Sequence, residues 1–171
     1  MKEKINLQIA YIDYSIATRS LDIFTIGCNP PHCKGCHNNE IWDWNQDGLS
    51  LTESYLKIKQ YISNFNILID RIFILGGEPV HAEIKTNNEV SCLIRKIKKE
   101  IDKPIFLFTR HQLDDIPESL KDCVDYIKTG PYIPELTTDN NIQFGIKLAT
   151  SNQKIYKKYN KEWRLENELD N

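Results

Sequence analysis

The sequence predicts a single α/β domain whose mostly parallel sheet curves into a partial, open-sided (β/α) barrel. Three observations lead there. Short apolar runs without polar alternation, Arg71 to Leu75 and Pro104 to Thr109, read as strands covered on both faces. Between them lie stretches with apolar residues every three or four positions, and strands alternating with such helices imply right-handed βαβ units. At 171 residues the chain has room for roughly four or five units, whereas a complete eight-unit barrel takes about 200 residues or more.

Composition sets the outer limits. Hydrophobic residues make up 40% and charged residues 27%, the balance of an ordinary globular protein. One domain is expected over residues 1–171, with a core from about 5 to 150 and a polar tail over 151–171. Net charge is -2 and pI near 6.1, without the basic excess of a nucleic-acid binder, so no nucleic-acid partner is expected. No stretch is apolar enough for a signal peptide or a membrane span, and a cytoplasmic location without a membrane partner is the expectation. Five cysteines, three of them clustered, do not form the paired framework of a small secreted domain. Cys92 and Cys123 are expected to be small buried hydrophobes.

Taken in order, Asn6 to Tyr14 shows weak strand alternation, and a second strand over Asp22 to Ile26 runs straight into Gly27-Cys28. Ser50 and Glu53 match a capping box, and Leu51, Tyr55, Ile58, Ile62 and Phe65 form the apolar stripe of the helix behind it. The strand Arg71 to Leu75 ends abruptly in Gly76-Gly77-Glu78-Pro79. Thr86 to Glu89 offers another capping box, ahead of a stripe of Val90, Ile94, Ile97 and Ile101. After the strand Pro104 to Thr109, a short helix is expected within Leu113 to Lys121, a strand over Val124 to Lys128, and a turn at Thr129 to Tyr132. Ile142 to Leu148 reads as a further strand, and the tail beyond Ser151 as a helix that frays.

The stretch that carries chemistry is Cys28 to Asn38, with cysteines spaced Cys28-x4-Cys33-x2-Cys36. Three thiolates suit zinc or an iron-sulfur cluster, because soft sulfur selects those metals. Closed structural zinc wants four ligands, and His32 or His37 would have to supply the fourth. A zinc-stabilised binding module is therefore one reading. Against it, Gly76-Gly77-Glu78-Pro79 also stands at the carboxyl end of a strand, so both loops face one rim. Its glycines admit a close backbone approach, and Glu78 adds a charge suited to a cation or amine. No Ser-His-Asp set, Walker loop or dinucleotide fingerprint is present to carry ordinary acid-base or phosphoryl chemistry.

These two loops resemble those of the radical S-adenosylmethionine superfamily. The resemblance implies a radical SAM type of open barrel, a [4Fe-4S] cluster on Cys28, Cys33 and Cys36, and S-adenosylmethionine on its open iron. It further implies that Gly76, Gly77, Glu78 and Pro79 meet the methionine end, while Gly35, Cys36 and His37 lie against the nucleoside. The usual superfamily spacing is Cys-x3-Cys-x2-Cys. Here the extra residue and two prolines, Asn29-Pro30-Pro31-His32, are expected to be absorbed in a stiff bulge. Cys-Lys-Gly-Cys-His-Asn, Leu107 to Arg110, Asp125 to Tyr132 and Ser151-Asn152-Gln153 are similar, more narrowly, to activating proteins of anaerobic ribonucleoside-triphosphate reductase. That likeness implies reductive cleavage of S-adenosylmethionine and a glycyl radical raised on a partner reductase. Electrons would come from a flavodoxin or ferredoxin. Activation of another glycyl radical enzyme, or radical chemistry on a small molecule, are alternatives within the same superfamily. Trp42 and Trp44 are expected as core or rim packing, with partner contact the alternative; Thr109 and Lys128 stand at strand ends, either as ordinary rim residues or against the nucleoside or methionine carboxylate; His81 and His111 carry no ligand role.

Overall fold

The computed structural model describes residues 7–81 and 84–168. Asn6 and residues 169–171, on which parts of the strand and tail expectations fall, lie outside them. A strand pair opens the chain, β1 (Ile9–Ser15) and β2 (Ser20–Thr25), antiparallel with Ile12 opposite Ile23. Helix α1 (Leu51–Phe65) leads to β3 (Arg71–Gly76), α2 (Ile84–Glu100) to β4 (Ile105–Phe108), and α3 (Glu118–Lys121) to β5 (Tyr126–Thr129). A small hairpin, β6 (Ile142–Gln143) and β7 (Ile146–Lys147), stands apart, and β8 (Lys154–Tyr159) and β9 (Glu162–Leu165) complete the main sheet.

That sheet has seven strands in the order β1-β2-β3-β4-β5-β8-β9. Its central ladders, β2 through β5, are parallel, and the three outer ladders are antiparallel, so the sheet is mixed where the βαβ pattern pointed to a mostly parallel one. The parallel part follows from the helical crossovers. The antiparallel part comes from a hairpin at each side, β1–β2 and β8–β9, and from β8, which returns against β5 after the long connection that holds β6 and β7.

Strand alternation divides the core into two layers. Ile72, Ile74, Ile105, Leu107 and Ile127 join Ile58 and Ile62 of α1 and Val90, Leu93, Ile94 and Ile97 of α2 on the helical face. Each of these aliphatic side chains contributes about 1.5–3 kcal/mol by leaving water. The alternate residues Phe73 and Phe106 face the other way, packing with Ile146, Leu148 and Ile155. On that face Phe106 stacks on Tyr126 at 4.1 Å and meets Phe73 edge-on at 5.3 Å, a cross-strand aromatic row.

The capping box of α1 is present: Glu53 N donates to Ser50 Oγ at 3.3 Å and Ser50 N to Glu53 Oε2 at 2.9 Å. The one expected at Thr86–Glu89 is not, because α2 already begins at Ile84. Asn87 instead clamps the preceding loop, accepting from His81 N at 2.7 Å and donating to His81 O at 2.6 Å. Cys123 is buried as expected, with its thiol pushed up to about 11 by that burial, but Cys92 is exposed on α2. The single strand expected over Ile142 to Leu148 folds back on itself at Phe144 and Gly145, both at positive φ, 49° and 72°.

The tail is the largest correction. Residues expected to fray as a helix form β8 and β9, joined at Asn160 and Lys161 with φ of 48° and 74°. This is the left-handed pair that a two-residue hairpin loop requires. Lysines made the segment look solvated, yet Lys157 lies 5.7 Å over the Tyr126 ring and Lys158 5.8 Å over Trp163. Their stems cover aromatic surface while Ile155 is fully buried. Ile155→Ala is expected to destabilise the whole domain by about 2–5 kcal/mol. A frayed tail would leave the urea midpoint unchanged, which is the outcome that separates the two descriptions.

Candidate functional site

The cysteine loop leaves the carboxyl end of β2 and is closed at its base. Gly27 N donates to Ile41 O at 2.8 Å and Cys28 N to Trp42 O at 3.0 Å, so the chain returns to where it left. Gly27 adopts φ of 97°, and a Cβ there would stand about 2 Å from the Trp44 ring, so only glycine fits beneath that side chain. Within the loop Cys36 N donates to Cys33 O at 3.2 Å, and Asn38 N points at Cys36 Sγ at 3.4 Å. Cys28 is buried, Cys33 and Cys36 are half-buried, and all three are free thiols. Burial is the main reason the Cys28 thiol is pushed up to about 11; Arg110 opposes the rise, and Glu78, Cys33 and Cys36 add to it.

The second loop is laid directly against the first. Gly77 N donates to Thr25 O at 2.8 Å and Glu78 N to Gly27 O at 2.7 Å, extending the β2–β3 pairing past the strand ends. A Cβ on Gly76 would lie 2.4 Å from Thr25 N, and one on Gly77 2.2 Å from Gly27 O. The two glycines therefore serve the approach of one loop to the other, a reason nearer at hand than approach to a ligand. Glu78 is buried and points into the rim: Oε1 accepts from Val80 N at 3.0 Å and Thr109 Oγ1 at 2.6 Å, and Oε2 from Arg110 N at 3.0 Å.

Both loops border one cavity of ≈ 380 Å³. Its wall contains Cys28, Cys33 and Cys36 together with Gly35, His37, Gly76, Gly77 and Glu78. Pro79 is buried behind the wall and is not part of it. Trp42, Thr109 and Lys128 also line the cavity, while Trp44 packs over Gly27 and edge-on against His81 at 3.9 Å. Lys128 is half-buried, and its ammonium donates to Gly130 O at 2.7 Å. Burial lowers its pKa to about 8, against the opposing pull of Glu78 and Cys33. Arg110, Tyr132 and Gln153 also line the wall; the sequence marked the stretches that hold them by their likeness to the reductase-activating proteins but gave these residues no role in the site. Only the fold shows that Gln153, in the polar tail, reaches the cavity.

Among the described residues no three His, Cys, Asp or Glu side chains converge as a single metal ion requires. The thiols instead face a shared space. His32, one of the two imidazoles that could have closed a zinc site as its fourth ligand, is turned aside: its Nε2 lies 2.8 Å from Cys28 O and its ring stacks on Trp42 at 4.0 Å. Three soft sulfur donors around a cavity, with a basic side chain opposite, suit an iron-sulfur cluster. The site thus defines an iron-sulfur protein.

The chain belongs to the 4Fe-4S single cluster domain family, whose model matches residues 18–156. That span holds both loops and reaches into β8. No curated protein and no solved structure matches the chain.

Two outcomes follow from this packing. Gly77→Ala is expected to cost about 3 kcal/mol or more, because its Cβ meets fixed backbone. Gly145→Ala, whose Cβ meets nothing within 4 Å among the described residues, should cost only the about 1–2 kcal/mol of a left-handed residue. Equal losses in denaturant titrations would show that sterics at the loop contact do not matter. His81 is 8% exposed with no partner for its Nε2 among the described residues, and burial, helped by His111, lowers its pKa to about 4. The unfolded chain takes up this proton near the ordinary value and the folded chain only near the lowered one. His81 therefore withdraws stability as pH falls from about 6.5 to about 4. His81→Gln should flatten the dependence of the urea midpoint on pH in that window, and an unchanged slope would contradict the assignment.

Proposed function

We propose that the chain is a radical S-adenosylmethionine activase that raises a glycyl radical on an anaerobic ribonucleoside-triphosphate reductase. The observation that carries this reading is the shared cavity. Three thiols and the Gly-Gly-Glu loop come from the carboxyl ends of neighbouring parallel strands and face one space. In this reading the sheet is an open-sided radical SAM barrel.

Cys28, Cys33 and Cys36 would hold a [4Fe-4S] cluster, leaving one iron without a protein thiolate. When bound, the cluster and S-adenosylmethionine supply an electron to break the sulfonium bond and a radical to take a hydrogen atom from glycine. The protein's own part is to bind, orient and admit. At ≈ 380 Å³ the cavity is within the range for small-molecule sites. Lys128 offers a cation for the methionine carboxylate, and arrival of that anion would raise the lowered pKa and keep the ammonium charged. Glu78 holds the rim through its three donors, so its contact with the amino group would be made by the remaining capacity of Oε2.

The cavity also reaches solvent. Its wall includes the exposed residues Gly35, His37, Lys147 and Ala149, which gives a glycine-bearing loop of a partner protein a way in. A flavodoxin or ferredoxin would supply the electron.

Anaerobic reconstitution with iron and sulfide, followed by reductant, S-adenosylmethionine and the reductase, is expected to yield 5′-deoxyadenosine and a glycyl radical signal by EPR. Deoxyadenosine without the glycyl signal would reject the activase and leave a small-molecule enzyme. Cys33→Ala should abolish both products, and a colourless wild-type protein carrying one zinc would defeat the proposal outright.

A further inference from the structure

Four residues separate Cys28 from Cys33, and their carbonyls lie outside any helix or strand. These four residues are exposed, so water or a protein donor can serve as partners for their carbonyls. Arg110, just beyond the carboxyl end of β4, supplies two of them. Its Nη2 donates to Asn29 O at 2.6 Å and its Nη1 donates to Pro31 O. We infer that Arg110 is a positioning residue for the thiol loop: its guanidinium fixes the Asn29–Pro31 segment and thereby sets where Cys28 and Cys33 stand in the cavity.

A guanidinium can hold two carbonyls at once because its donors form a rigid planar fork, and charge on the donor strengthens both bonds. The fork is anchored from behind. Arg110 N donates to Glu78 Oε2 at 3.0 Å, and Arg110 Nε lies 3.9 Å from the same oxygen. The neighbouring Thr109 hydroxyl donates to Glu78 Oε1 at 2.6 Å. The arginine side chain is 18% exposed and the glutamate 6%, so neither swings freely in solvent. The separation to Glu78 makes that ion pair the weaker element. The carbonyl bonds are what the fork is placed to make.

The result is a chain of contacts across three strand ends. The β2 loop rests on Arg110 after β4, and Arg110 rests on Glu78 after β3. Trp44 Nε1, donating to Asn29 Oδ1 at 3.1 Å, and His32, stacked on Trp42, also tie this segment by its side chains; Arg110 adds the hold on its backbone. Lysine at this position would keep the charge but has no fork and cannot span both carbonyls.

This inference rests on the reading that Cys28, Cys33 and Cys36 hold the cluster, and the test separates the two. Full-length Arg110→Lys, Arg110→Gln and Cys33→Ala proteins are reconstituted anaerobically. Iron and sulfide per chain, the EPR line shape after reduction, the rate of iron removal by EDTA, and amide hydrogen exchange of the metal-free proteins are then measured. Both Arg110 variants are expected to keep wild-type protection in β3 and β4 and to lose it at Cys36. They should also shift the EPR line shape and release iron about tenfold faster, the usual scale for losing a residue that orients metal ligands. Wild-type iron release and line shape in either variant would overturn the inference, as would loss of protection throughout β3 and β4 in both. Cys33→Ala that retains a full cluster would overturn the ligand reading instead.

Discussion

The site depends on a contact between two stretches of backbone. Past the ends of β2 and β3 the ladder continues for two more hydrogen bonds, Gly77 N to Thr25 O and Glu78 N to Gly27 O. These bonds bring the cysteine loop and the Gly-Gly-Glu loop together before any ligand is considered. They can form only because neither Gly76 nor Gly77 carries a Cβ, whose place is already occupied by the neighbouring chain. A motif that reads as an accommodation for a ligand is first an accommodation for another loop.

Glu78 extends the contact to a third strand end. Its carboxylate gathers Val80 N, Thr109 Oγ1 and Arg110 N, satisfying a buried charge with three donors. A buried carboxylate without them would be costly. With them it holds the rim in one arrangement, and the cavity inherits its shape from that arrangement. Asn87 performs a similar service one step out, by fixing the backbone of His81 from α2.

The sequence made the centre of this arrangement legible and its borders much less so. Apolar runs such as Arg71 to Leu75 and the Ser50–Glu53 cap announced themselves because local pattern and final environment agree. The cysteines and the Gly-Gly-Glu-Pro run were visible as chemistry, since few other uses call for three thiols so close together. Arg110 stood in a stretch noted only for its likeness, and its contact was not legible, because it depends on carbonyls 79 and 81 residues earlier in the chain, and carbonyls leave no mark on a sequence. The tail was misread for a related reason. Lys157 and Lys158 look solvent-bound until Tyr126 and Trp163 are placed beneath them, and a hairpin turned by Asn160-Lys161 lacks the glycine that usually signals one.

The far wall of the cavity comes from late in the chain. Lys147 and Gln153 close a space whose thiols lie at positions 28, 33 and 36. Order of synthesis therefore matters to assembly: the thiols leave the ribosome more than a hundred residues before the residues that finish their enclosure. For that interval they belong to a half-built pocket, open to oxidants and to stray metal. Placing Lys147 to Ala149 and Gln153 then adds the far side of that pocket, and ties maturation of the site to completion of the fold.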